Sequence, residues 1–157
     1  MQQIYKQLFP ELPDDSKIWI YTSDRILNEQ ESSYVMDCLQ LFTQNNWNSH
    51  GSKIKAKGAL INGLIIVLAV DEKINVASGC SIDSSVHMIK KMGKEIEVDF
   101  FNRFYVCIQD ETQIKRVHMN NLSDYTDYFI FDPLVQNLGE LRSSWLKAVS
   151  THPLCSI

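Results

Sequence analysis

Alternating and continuous apolar positions predict a hairpin in the middle of the chain. Lysines occupy every second position at the start of segment 53–61, as in a strand with one solvent face, whereas Leu64–Val70 is apolar throughout. Asn62 and Gly63 separate the two segments and form the preferred type I′ turn, because both residue types tolerate positive φ. A strand that is apolar on both faces lies inside a sheet, and we therefore predict that Leu64–Val70 is a central strand.

Apolar residues at three- and four-residue spacing predict two longer helices. The first begins after Asn28, an N-cap residue with Glu31 placed to complete a capping box. The second begins near Ser81, and a shorter helix is predicted for Gly139–Val149. The apolar positions of the two longer helices are Val35, Cys38, Leu39, Leu41 and Phe42 in the first and Ile82, Val86, Ile89 and Ile96 in the second.

The remaining strands come in neighbouring pairs, with the helices between the groups. Further strands are predicted for Lys17–Thr22, Phe104–Gln109, Thr112–His118 and Tyr128–Phe131. This order favours an α+β fold, a mainly antiparallel sheet of about five to six strands with two longer helices and a short C-terminal helix. A doubly wound fold is the less favoured alternative. The length of 157 residues predicts a single domain, residues 1–157.

Composition and charge exclude several classes of partner. The chain has 15 basic and 19 acidic residues, a formal net charge of −4, which gives no general attraction to nucleic acid or anionic lipid. Its longest apolar run, Leu64–Val70, is far shorter than the ~20 residues of a membrane-spanning helix. Segment 1–6 lacks the apolar stretch of a signal peptide. We expect a cytoplasmic protein that neither binds nucleic acid nor inserts into membranes.

The four cysteines indicate free thiols rather than a metal site. They are widely spaced, without a Cys-x-x-Cys motif or a clustered Cys/His pattern of the zinc type. The sequence therefore predicts no bound metal and no cofactor. Cys38, Cys107 and Cys155 lie in a predicted helix, a strand and the tail, whereas Cys80 lies among small polar residues before a predicted helix.

Segment 77–85 is the strongest candidate for a ligand site. It places Ser78, Gly79, Ser81 and further serines around the first turn of a predicted helix. The first turn of a helix has N–H groups without intrahelical partners, and these groups and the helix dipole favour an anion. We predict an anion-binding loop here, with ordinary capping of the helix by the serines as the alternative.

The same segment holds the ingredients of an activated nucleophile. A thiol near a helix N-terminus, such as Cys80, can have a lowered pKa, and the thiolate is the reactive form. Asp83 and His87 are four residues apart, share a helix face and are candidate catalytic partners of Cys80. Helical geometry works against a direct contact between Cys80 and His87, because seven residues span about 10 Å.

Three residues elsewhere are predicted to wall the same pocket. Asp71 directly follows the central strand, and Trp47 and His50 lie in the loop after the first helix. Each also has a simpler interpretation, since acidic residues at strand ends commonly face water and a tryptophan commonly anchors the core.

These segments resemble a family of small bacterial proteins of uncharacterised function, whose members are sometimes called "ABC transporter ATPase". The resemblance spans nearly the whole chain and rests on Trp47-x-Ser49-His50-Gly51, Val70-Asp71-Glu72, Ala77-Ser78-Gly79-Cys80-Ser81-Ile82-Asp83-x-Ser85-Val86, Gly139-Glu140-Leu141 and Trp145. It implies no established activity, ligand or catalytic residue. A nucleotide-hydrolysing ATPase needs a G-x-x-x-x-G-K-[ST] phosphate loop, and the sequence contains none. We therefore predict no ATP hydrolysis.

Three functional hypotheses follow from the sequence. The leading one is a non-catalytic domain that binds a small ligand or a protein through the loop 77–85. The alternative is a thiol-dependent enzyme or redox sensor that uses Cys80. The third is a structural role, with a homodimer formed through an exposed strand edge.

Overall fold

The computed structural model describes residues 2–73 and 75–155. Its α-helices are α1 (Glu29–Leu41), continued by a π-helical turn (Phe42–Asn46), α2 (Gly79–Ile96) and α3 (Leu138–Ser144). Short 3₁₀ helices cover Gln2–Gln7, Met119–Tyr125 and Val149–Thr151. The strands are β1 (Lys17–Thr22), β2 (Asn48–Ser49), β3 (Ser52–Lys53), β4 (Ala56–Ile61), β5 (Ile65–Val70), β6 (Tyr105–Gln109), β7 (Ile114–His118), β8 (Phe129–Phe131) and β9 (Leu146–Ala148).

The strands form three antiparallel sheets. The first has the order β1-β5-β4, the second is the short β2-β3 pair, and the third has the order β7-β6-β8-β9. Every residue of β5 is buried. Side chains alternate between the two faces of a strand, so β5 must be covered on both faces as well as flanked on both edges.

Two different layers cover the central sheet. Ile66, Leu68 and Val70 of β5 belong to one apolar cluster with residues of α1 and α2. Ile65, Val67 and Ala69 face the opposite way, into a cluster with Phe131, Trp145 and α3. The molecule is therefore layered, with α1 and α2 on one face of the central sheet and α3 with the four-stranded sheet on the other.

The α+β class, the antiparallel pairing and the hairpin at the centre of the chain are confirmed. Asn62 and Gly63 have φ angles of 55° and 65°, and Leu64 N–H donates to the carbonyl of Ile61 at 3.0 Å, which is the predicted turn. The strands are divided among three sheets, where the sequence suggested one. The physical reason is β5, whose two apolar faces require a second layer that a single sheet with helices on one side does not supply.

Two element boundaries differ from the prediction. Helix α2 begins at Gly79, because Ser78 rather than a later residue is its N-cap, and Cys80 therefore lies inside the first turn. Helix α3 ends at Ser144, and Leu146–Ala148 leaves the predicted helix to pair with β8. In the described part of the chain, no helix has the length and apolar character needed to cross a bilayer.

A buried carboxylate holds the last part of the chain against the four-stranded sheet. Asp132 is 4% exposed and accepts hydrogen bonds from the Lys147 ammonium group and from Leu134 N–H. Its Oδ1 also lies 2.8 Å from Nε2 of His152, whose Nδ1 accepts from Leu154 N–H. The proton of the neutral imidazole is therefore on Nε2, which donates to Asp132. Burial raises the pKa of Asp132, but these hydrogen bonds outweigh it and hold the pKa below its ordinary value.

We expect Asp132→Asn to lower the free energy of unfolding at pH 7 by about 1–3 kcal/mol, because charge-assisted hydrogen bonds are lost. The folded-state pKa of Asp132 is depressed, so this contribution is present above the unfolded pKa of about 3.9 and disappears as the pH falls through the folded value. Urea denaturation at pH 7 and pH 3 measures the difference between the variant and the wild type. A difference in stability that is the same at pH 7 and pH 3 would contradict this contribution of the Asp132 carboxylate. Asp83→Asn is the control, because Asp83 is an exposed residue of α2.

Candidate functional site

The serines at the start of α2 bond within their own helix. Ser78 Oγ accepts from Ser81 N–H at 3.2 Å, and Ser81 Oγ donates back to the carbonyl of Ser78 at 2.7 Å. Ser84 Oγ donates to the carbonyl of Cys80 at 3.0 Å. Ser78 Oγ thus occupies one N–H group that a bound anion would otherwise use, and the other two hydroxyls are bonded to carbonyls of the same helix start. This is the capping arrangement anticipated as the alternative.

Hydrogen bonds to nearby carboxylates also hold the loop that leads into α2 in place. Ala77 N–H donates to the Glu72 carboxylate at 3.0 Å. Asp71 is buried, accepts from Lys73 N–H at 3.1 Å and lies 3.8 Å from the Lys55 ammonium group. The carboxylate of Asp71 therefore stabilises its own loop.

Trp47 and His50 flank the short strand β2. Trp47 is completely buried, and its indole N–H donates to the carbonyl of Ser81 at 2.7 Å, so it fastens α2 to the loop after α1. His50 is exposed at a φ of 51°, next to Gly51 at a φ of 79°, where the chain turns between β2 and β3. Trp47 anchors the predicted site from within the core and has no surface to offer a ligand.

The three catalytic candidates lie along one open groove on α2. Cys80, Asp83 and His87 are exposed and line this groove, of about 610 Å³, with Phe42 and Lys91 among the other residues. Asp83 and His87 share a face because they are four residues apart in the helix, as predicted, and Cys80 joins them because α2 begins at Gly79. Among the described residues, no hydrogen bond joins the three side chains to one another. Gly79, the residue before Cys80, has open space where a side chain would be.

A second cavity lies between the central sheet and the four-stranded sheet, and we call it the inter-sheet cleft. It has a volume of about 420 Å³. Trp19–Thr22 of β1 line one side, and Phe100–Arg103, before β6, line another. The remaining lining residues are Tyr105, Val106, Met119, Pro133, Leu134 and Leu154.

The inter-sheet cleft runs along a strand edge. Side chains of successive strand residues point to opposite faces, yet all four residues Trp19–Thr22 line the same space. This is possible only where the space follows the edge of the strand, and β1 is an edge strand of the central sheet. The cleft therefore exposes main chain as well as side chains.

A small chamber forms the inner end of the cleft. Its volume is about 20 Å³, enough for about one water molecule. It shares Ile20, Thr22 and Tyr105 with the cleft and is also lined by Trp145. The indole nitrogen of Trp145 is buried and has no hydrogen-bond partner within the described residues. The chamber thus contains a buried side chain whose N–H donor is unsatisfied.

The walls of the cleft are aromatic and its charge is positive. The rings of Tyr21 and Phe101 meet edge to face with centroids 5.4 Å apart. Burial raises the pKa of Tyr21, opposed by a hydrogen bond with Ser85 and by the charge of Arg103. Arg103 is exposed and is the one charged side chain among the described residues that line the cleft.

Sequence reasoning did not identify the cleft. Its walls come from five separate segments of the chain. The available local signal was the run Phe100-Phe101-Asn102-Arg103, two aromatic residues before a cation outside any predicted element. The resemblance proposed from the sequence stays a prediction. Comparison with known protein families, curated proteins and solved structures gives no match for the chain.

Proposed function

We propose that the protein is a non-catalytic binding domain whose ligand occupies the inter-sheet cleft. The observation that carries the proposal is the cleft itself, whose volume of about 420 Å³ lies within the range of ligand sites and whose walls combine aromatic rings with one cation. Such a site favours an elongated apolar ligand that carries an acidic group close to Arg103. The unsatisfied indole N–H of Trp145 offers a hydrogen bond at the inner end.

Local hydrogen bonding favours this cleft over the entrance of α2. At the entrance, Ser78, Ser81 and Glu72 already occupy main-chain groups. In the cleft, the indole N–H of Trp145 and the outer edge of β1 remain available to a ligand. A ligand that pairs with unsatisfied polar groups binds with a more favourable free energy, because leaving such groups buried and unpaired is costly.

The fluorescent dye 8-anilino-1-naphthalenesulfonate, an aromatic sulfonate, tests this proposal. We expect one saturable site for the dye. Leu134→Trp, which fills the cleft, should abolish dye binding, and Arg103→Ala should weaken it about threefold to fivefold through loss of a charge at the rim. Leu41→Trp is the matched control, because Leu41 is similarly exposed (57%, against 51% for Leu134) and lies on α1 outside the cleft.

Two results of the dye experiment would contradict the proposal. One is a loss of dye binding in Lys91→Ala, which alters the groove on α2, without an effect of Leu134→Trp. The other is equal binding by the wild type and by all these variants. Both results would place the dye outside the cleft.

A thiol-dependent activity of Cys80 is the second candidate function. It is favoured by the exposure of Cys80 in the first turn of α2 and by its position in one groove with Asp83 and His87. In such an enzyme His87 would accept the thiol proton through an intervening water molecule, because seven helical residues separate it from Cys80, and the groove would admit the substrate.

We expect Cys80 to react with iodoacetamide at least about 100-fold faster than Cys107 at pH 7. Burial raises the pKa of Cys107 to about 12, so that very little of it is thiolate, and Cys107 is also inaccessible. Mass spectrometry of tryptic peptides over time measures both rates. Equally slow labelling of Cys80 and Cys107 would contradict the exposed position of Cys80 in the first turn of α2. The thiol enzyme further requires that His87→Ala slow the alkylation of Cys80, and an unchanged rate would exclude it.

A further inference from the structure

We infer that the occupant of the inter-sheet cleft is an extended peptide segment of a partner protein, which adds to β1 as an antiparallel strand. This inference rests on the proposed function and names the ligand class for the same cleft. Strand addition uses main-chain hydrogen bonds for affinity and alternate side chains for specificity. Three features of β1 and its surroundings support it.

The first feature is the direction of the main-chain groups of β1. Ser23 N–H donates to the carbonyl of Leu64 at 2.7 Å, in register with the β1-β5 ladder. In an antiparallel ladder, alternate residues bond to the neighbouring strand, so Trp19 and Tyr21 bond to β5. The N–H and C=O groups of Ile20 and Thr22 therefore point to the outer edge, where no partner for them lies among the described residues.

The second feature is a strand pairing that the protein already makes on this edge. Ile18 N–H donates to the carbonyl of Gln136 at 3.4 Å, Leu138 N–H donates to the carbonyl of Ser16 at 2.9 Å, and Lys17 is bridged to Asn137 in antiparallel fashion. The outer edge of β1 thus accepts an antiparallel segment at its first residues.

That pairing stops where the cleft begins. Leu134, in the continuation of the same segment, donates its N–H to the Asp132 carboxylate at 2.9 Å. The Leu134 N–H is thus bonded to a side chain and not to β1, and no main-chain partner for the next outward positions of the strand, Ile20 and Thr22, lies among the described residues. A peptide placed there would continue an edge pairing already begun by the fold.

The third feature is the difference between the two sides of the β1 edge. Ile20 and Thr22 line the inner chamber, which has room for little more than a water molecule. A peptide residue on that side must be small, and a serine or threonine oxygen would accept the Trp145 N–H. On the other side, Phe101 and Arg103 favour apolar and acidic residues. We therefore expect small residues to alternate with apolar or acidic ones.

The test selects random heptapeptides displayed on phage against the wild-type chain, with elution by 8-anilino-1-naphthalenesulfonate. The enriched peptides are synthesised with a single N-methyl group at each position in turn. We expect methylation at alternate positions to weaken binding at least about tenfold, because it removes a main-chain donor and obstructs the strand edge, and methylation between them to have little effect.

Variants of Thr22 provide the matched test on the protein side. Thr22→Pro removes an outward N–H without breaking a bond to β5, and it should weaken peptide binding at least about tenfold. Thr22→Val keeps the N–H and should bind as the wild type does. If Thr22→Pro fails to fold, the methylation scan on the wild type decides.

The outcomes separate this inference from the proposed function. Strand addition is overturned if the dye binds in the cleft but no peptide is enriched. It is also overturned if the enriched peptides show no alternating response to methylation. Both results leave the proposed binding cleft in place. A homodimer that buries β1 and excludes the peptide, detected by sedimentation, also overturns it. If the dye does not bind in the cleft of the wild-type protein, both proposals fail together.

Discussion

Replacing Trp47 by alanine is expected to lower the free energy of unfolding by about 3–5 kcal/mol. The side chain is completely buried, its ring packs against those of Phe42 and Trp19, and its indole N–H bonds to the carbonyl of Ser81. The substitution leaves a cavity between α2 and the central sheet and removes the side-chain hydrogen bond to the Ser81 carbonyl. Equilibrium denaturation by guanidinium, followed by far-ultraviolet circular dichroism, measures the loss.

Two controls separate the contributions at Trp47. Trp47→Phe keeps an aromatic ring but removes the hydrogen bond, and we expect a smaller loss of about 1–3 kcal/mol. Phe104→Ala removes a ring that is 64% exposed and should change stability by no more than about 0.5 kcal/mol. A loss in Trp47→Ala as small as that in Phe104→Ala would show that the loop after α1 does not anchor α2.

Replacing Arg142 by alanine is expected to cost about 3 kcal/mol or more. The side chain is only 14% exposed, and its guanidinium donates to the carbonyls of Leu8, Phe9 and Leu12 and to the Asp14 carboxylate. One residue of α3 thus satisfies three carbonyls of the N-terminal segment. Alanine leaves those acceptors without their donor, and urea denaturation reports the cost.

Lysine at position 142 should recover only part of the loss, because a single ammonium group does not reproduce the planar set of donors. Arg25→Ala is the matched control, since Arg25 forms an exposed ion pair with Glu31 and its removal should cost clearly less. Equal losses in Arg142→Ala and Arg25→Ala would contradict the role assigned to Arg142.

Local patterns were sufficient to predict most of the elements. The Asn62-Gly63 turn and the Asn28 capping box each depend on a few neighbouring residues, and both are present as predicted. The division of the strands among three sheets was not predicted, because it depends on which distant layer covers the second face of β5. The end of α3 at Ser144 has a similar cause, since pairing with β8 claims the residues that follow.

In the candidate site, too, only the features that depend on neighbouring residues could be predicted. The shared face of Asp83 and His87 was predicted from helical spacing alone, whereas Cys80 joins them in the groove because α2 begins two residues earlier than predicted. The inter-sheet cleft was not predicted, because Trp19–Thr22 and Phe100–Arg103 meet only after the two sheets have packed. No local sequence pattern marks a strand whose outer edge is open, because that edge is open only where no other segment of the folded chain covers it.

Amide hydrogen exchange in the free protein, measured by nuclear magnetic resonance, shows without a ligand whether the outer edge of β1 is available in the cleft beyond Ile18. We expect fast exchange at Ile20 and Thr22 and strong protection at Trp19 and Tyr21, whose N–H groups bond to β5. Equal, strong protection at all four amides would contradict this expectation, because the edge would then already be paired and closed to a partner.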